Sequence, residues 1–143
     1  MTHNIVTKID VLTEPGEIFA SAITTDYIEL TNYKYLDIVV SSGIGTAADT
    51  TVKVLAKAGS DGSASAIVFK KKTTSTSFTS ISVDGDTLNV GGTAGSCGSA
   101  VYRVDSADLA RNGYDRIALS TTAIADSTIP GSIISLGYEP RYT

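Results

Sequence analysis

Val52-Lys53-Val54-Leu55-Ala56-Lys57-Ala58-Gly59-Ser60-Asp61-Gly62-Ser63 decides the fold class. Val52, Val54 and Ala56 alternate with Thr51, Lys53, Leu55 and Lys57, the period-two pattern of a half-buried strand. Gly59 to Ser63 is turn chemistry, with the Asp-Gly preference for positive φ. Ala66 to Lys72 then resumes as a strand, so 52–58 and 66–72 are expected to pair as an antiparallel hairpin. Working outward, Phe78 to Val83, the turn Asp84-Gly85-Asp86 and Thr87 to Val90 read as a second hairpin. Upstream, Glu17 to Ala22, Tyr27 to Leu30 and Tyr35 to Ser41 are short runs with strand composition. Downstream, Tyr114 to Ser120 and Ser132 to Tyr138 close the series. Gly91 to Ser99 is too rich in glycine for regular structure and reads as a loop.

One helical turn is expected near 106–112. Ser106 is a good N-cap, Asp108 suits a helix N-terminus, and Asn112-Gly113 supplies a left-handed stop. Tyr114, arriving after Leu109 and Gly113, has the form of the tyrosine corner found in Greek-key sandwiches. Short strands about ten residues apart with turns between them predict an all-β, single-domain antiparallel β-sandwich or jelly roll. Residues 1–16, ending at Glu14-Pro15-Gly16, are read as an extended N-terminal arm or first strand, and 17–143 as the sandwich.

Composition agrees and narrows function. The chain has 143 residues, of which 42% are hydrophobic and 18% charged, and Ser and Thr together number 36. A chain of this size buries about two-thirds of its surface on folding, enough for one core. Its net charge of −4 argues against a general affinity for nucleic acid or anionic membranes. No apolar run approaches the ~20 residues of a membrane helix. The N-terminus carries no basic segment leading into an apolar stretch, so no signal peptide is expected. The single cysteine, Cys97, excludes an intrachain disulfide.

Catalytic chemistry has little to work with. His3 is the one imidazole and sits at the terminus, without the orienting partner that a triad needs. Cys97 has no base near it in sequence. Asp84-x-Asp86 with Asn89 lacks the twelve-residue calcium pattern, and Gly91 to Gly95 lacks the lysine of a phosphate loop. No zinc-ligand cluster exists. The expectation is no enzyme, no cofactor and no metal. Lys70-Lys71-Lys72 is the one basic cluster, with Lys70 and Lys72 expected on one strand face and Lys71 on the other.

Three segments together carry a resemblance: Val52 to Gly59, Val104 to Tyr114, and Tyr138-Glu139-Pro140-Arg141-Tyr142. A strand, an Asp-rich turn into Gly-Tyr and a terminal Glu-Pro-Arg-Tyr resemble the head decoration (cement) proteins of tailed bacteriophages. That resemblance implies a non-enzymatic protein on the outer capsid surface of the virion, made in the host cytoplasm. Its implied partner is the major capsid protein, with no nucleic acid or membrane involved. Such proteins are often homotrimers at threefold or quasi-threefold positions. Position and composition then nominate Asn4, Ile5, Val6 and Ile9 with Lys70, Lys71 and Lys72 as capsid contacts, and Tyr138 and Tyr142 as subunit-interface residues. The alternative is a tail or fibre module that binds host-surface glycans.

Overall fold

The computed structural model describes residues 6–72 and 77–140 and shows an all-β sandwich of two antiparallel sheets. In chain order the strands are β1 (Val6–Gly16), β2 (Ile23–Thr24), β3 (Ile28–Glu29), β4 (Tyr33–Ser42), β5 (Gly45–Lys57), β6 (Ser65–Ile67), β7 (Phe69–Lys72), β8 (Thr79–Ile81), β9 (Asp86–Gly92), β10 (Ser99–Asp105), β11 (Arg116–Thr121) and β12 (Gly131–Pro140). The front sheet has the order β1-β12-β4-β10-β7-β8. The back sheet centres on β5 and β11. Here β9 and β6 share one side of β5, and β2 and β3 share the far side of β11.

The alternation read at 52–57 holds. Val52, Val54 and Ala56 are fully buried, and they face Leu36, Ile38 and Val40 of β4, Tyr102 of β10 and Ile133 of β12 in one core. One short helix, α1 (Ser106–Arg111), follows β10. Its cap is Asp105, whose carboxylate accepts from the Ala107 amide, one residue earlier than expected. Ser106 turns inward instead and donates to the Lys34 carbonyl at 2.9 Å. Gly113, at φ 85°, makes the stop. Tyr114 packs half-buried against the core, with its amide on the Leu109 carbonyl.

Both expected hairpins are corrected. β6 pairs with β5, but the chain then changes sheets at the exposed Val68, and β7 pairs with β10 in the front sheet. Likewise β8 pairs with β7 while β9 pairs with β5, so the turn at 82–85 crosses between layers. A third correction is local: within 17–22, Ile18–Ala20 forms a 3-10 turn whose Phe19 plugs the core. The N-terminal segment, from Val6, is the front sheet's edge strand. It is registered on β12 from Val6 opposite Tyr138 to Gly16 opposite Gly131.

Two polar knots tie the layers. At the first, Ser42 Oγ donates to the Gly98 carbonyl at 2.6 Å and accepts the Gly91 amide at 3.0 Å. A Cβ on Gly98 would overlap the Asn89 carbonyl of β9. No side chain can swing aside there, so Gly98→Ala is expected to cost about 3 kcal/mol, read as a lowered urea midpoint. Gly16→Ala, which meets nothing within 4 Å, should leave that midpoint in place.

At the second knot, Asp86 of the back sheet receives the Tyr102 hydroxyl at 2.8 Å and the Lys71 ammonium at 2.6 Å, both from the front sheet. Burial first, then the Asp86 charge, pushes the Tyr102 phenol far above its ordinary value near 10. The folded protein therefore keeps this phenol neutral at a pH where the unfolded chain ionises it. Its stabilising contribution is complete below about pH 10 and is lost as pH rises further. Tyr102→Phe should accordingly flatten the fall in urea midpoint between about pH 9 and about pH 11, although it lowers stability at neutral pH.

Candidate functional site: the outer face of the front sheet

An antiparallel sheet with one face on a core usually turns polar residues to water on the other. The back sheet does so. Thr51, Lys53 and Lys57 of β5, Arg116 and Ser120 of β11, and Thr87 and Asn89 of β9 point outward, with Leu55 and Ala118 the apolar exceptions.

The front sheet does not. On its outward side Ile9 and Val11 of β1 lie opposite Leu136 and Ile134 of β12. Ile134 in turn lies opposite Val39 of β4, and Val39 opposite Val101 of β10. These six side chains make an apolar band across four strands. Ile9 and Val11 remain 63% and 62% exposed, among the largest exposures of any bulky apolar residue described.

Beside the band is an aromatic and charged cluster. Arg103 of β10 forks onto Asp37 of β4, with Nε at 2.7 Å and an Nη at 2.9 Å from the two carboxylate oxygens. Its guanidinium carbon lies 4.0 Å from the Tyr35 ring centre, 4.3 Å from Phe78 and 5.7 Å from Tyr138. Tyr35 and Tyr138 stack at 4.9 Å. The Asp37 hydrogen bond holds the Arg103 guanidinium above even its ordinary high value. Burial, with the Asp37 charge second, raises the Tyr138 phenol, while Arg103 opposes that shift. Asp37 is only 3% exposed although it sits on an outward strand position. The cluster is thus a charge-neutral plate at the margin of the apolar band.

The residues nominated from sequence do not all come together. Ile9 and Tyr138, expected on different contacts, share this one face. Lys70 and Lys72 sit on its β7 margin, Lys70 exposed and Lys72 with Nζ 5.1 Å over Phe78. Lys71 points the other way, as the alternation predicts, and is held by Asp86. Val6 opens β1. Asn4, Ile5 and Tyr142 lie outside the described residues, as does His3.

Elsewhere, a groove of about 530 Å³ opens at the α1 end, with Phe69, Val104 and Leu109 among its lining and exposed Val68 and Val83 at its sides. Its cation on α1, Arg111, is taken by Asp108 at 3.0 Å. Cys97 Sγ donates to the Thr93 carbonyl. Among the described residues no cluster of His, Cys, Asp and Glu is placed to hold a metal ion, and no helix is long and apolar enough to cross a membrane.

No protein-family model matches the sequence, and no curated protein does. Among solved structures, the SPBc2 prophage-derived protein YomS is similar over 97% of both chains, with a TM-score of 0.59 and 12% sequence identity. At that identity the likeness is one of architecture: this chain shares its two-sheet fold with a prophage-derived protein.

Proposed function

We propose that this chain is a non-catalytic structural component of a phage particle, one that adds to the outside of an assembled head and reinforces it. The observation that carries the proposal is the apolar outer face of the front sheet, since contiguous apolar surface on a small folded domain marks a contact made within an assembly. The shared fold with a prophage-derived protein supports the phage setting. The three motifs that resemble head decoration proteins support the placement on the shell.

Such a protein acts by fit. Each copy offers a modest patch, and repetition over a symmetric lattice turns weak contacts into tight attachment through effective concentration. The acid, base and phenol held between the sheets fit a structural role: Asp86, Lys71 and Tyr102 saturate one another. Glycan binding is disfavoured on a specific ground. Tyr35 and Tyr138, an aromatic pair on which a sugar would stack, are engaged by Arg103 and by each other.

The test is co-sedimentation of the purified protein with empty shells of the cognate phage that lack it. Saturable pelleting at a fixed ratio to the major capsid protein is expected, with a raised shell melting temperature. Protein that stays in the supernatant at every concentration overturns the proposal.

A further inference from the structure

We infer that the outer face of the front sheet is the contact between two copies of this chain, packed sheet on sheet. The inference rests on the assembly role proposed above and assigns its apolar face to a second copy, which leaves attachment to the shell to the surfaces outside that face.

Size is the first ground. The four strands of the band, β1, β12, β4 and β10, about 4.8 Å apart and averaging about nine residues at about 3.3 Å each, project a face on the order of 600 Å². Side-chain relief raises the accessible area above that projection. Each partner in a stable protein–protein contact contributes about 800 Å², so full face-to-face pairing meets the requirement and contact with one strand or loop does not. Charge is the second ground. The one charged pair within the face, Arg103 with Asp37, is already neutral and doubly hydrogen-bonded. Covering it strands no charge, while Lys70 and Lys72 stay on the margin. Inside the band the one ion pair is neutral, so an identical apolar band suits it, and the two lysines of the β7 margin stay outside the contact.

Symmetry follows from the number of faces. A ring of three needs two different complementary patches on each subunit, whereas a twofold pair needs one self-complementary patch. The back sheet's outward side is dominated by Thr, Lys, Arg, Ser and Asn. Of the two sheet faces only one is apolar, and a single self-complementary face suits a twofold dimer in place of the threefold arrangement that the resemblance implies. Two such sheets would stack about 10 Å apart, as the layers of a sandwich do.

Light scattering on a size-exclusion column tests the pairing. The native chain should run at twice its 14.8 kDa mass, and Ile9→Asp should halve that value. Ile9 is mostly exposed within one copy, so the variant should keep the native circular dichroism spectrum and melting profile of a folded chain. A second variant, Val11→Asp, repeats the test at the neighbouring outward position. Thr87→Asp, the same kind of change on the back sheet, should leave the mass at the dimer value. A native chain at 14.8 kDa throughout the concentration range, or a dimer indifferent to both substitutions, overturns the inference. Shell co-sedimentation of the same proteins separates this from the functional reading. A monomeric native chain that binds shells and loses them on Ile9→Asp assigns the face to the shell and rejects the dimer. A dimer that ignores shells keeps the contact and rejects the phage-head role.

Discussion

Asp86→Ala is expected to destabilise the protein by about 3–5 kcal/mol, more than any other single polar truncation in the back sheet. The carboxylate sits between layers with its side chain 12% exposed, beside a lysine at 17%. Removing it leaves the Lys71 ammonium and the fully buried Tyr102 hydroxyl without their acceptor. Truncating the other members should cost less. Tyr102→Phe removes a hydrogen bond to a charged group, about 1.5–3 kcal/mol, and leaves Asp86 paired with Lys71. Lys71→Met leaves Asp86 with the phenol. Urea denaturation of the three variants checks the order; equal losses would mean that the knot acts only through packing. The triple variant Asp86→Leu, Lys71→Met, Tyr102→Phe should recover much of the loss, because apolar replacements of similar volume need no partner.

Arg103→Met is the second large effect. It strips a buried carboxylate of both its hydrogen bonds and removes the guanidinium from the Tyr35 and Phe78 faces. The expected loss is about 3–5 kcal/mol. Arg103→Lys should lose less, since it keeps the charge but neither the fork nor the flat stacking. Adding Asp37→Leu to Arg103→Met should restore stability, and the double-mutant cycle reads the coupling directly. If Asp37→Leu gives no recovery, the aromatic contacts and not the ion pair hold the plate.

How much of this was legible in the residues depends on what alternation encodes. Val52, Val54 and Ala56 announced a strand and its buried side, because period two is a property of one strand. It does not say which sheet that strand joins. The crossing at Val68 and the turn at 82–85 move the chain between layers without a mark in that pattern, so alternation alone pairs each segment with its nearest neighbour in sequence. Phe19 lies in a run with strand composition, and only tertiary packing makes it the plug of a 3-10 turn. The docking face had a visible trace. From Leu36 to Val40 only Asp37 is polar, the pattern of a strand covered on both sides. Identifying the cover required Arg103, 66 residues away on β10. The alternation puts Lys71 on the strand face opposite to Lys70 and Lys72, but its partner, on a strand of the other layer, lies beyond any local pattern.

The place of β12 governs when this molecule can exist at all. It lies between β1 and β4, joining the beginning of the chain to its middle. Until residues 131–140 have left the ribosome, the earlier strands have a gap where their shared neighbour belongs. Closing that gap links segments more than a hundred residues apart, a slow class of folding step. Unfinished chains therefore carry no completed six-stranded layer, and the open edges of β1 and β4 are the places where they are most exposed to wrong pairing.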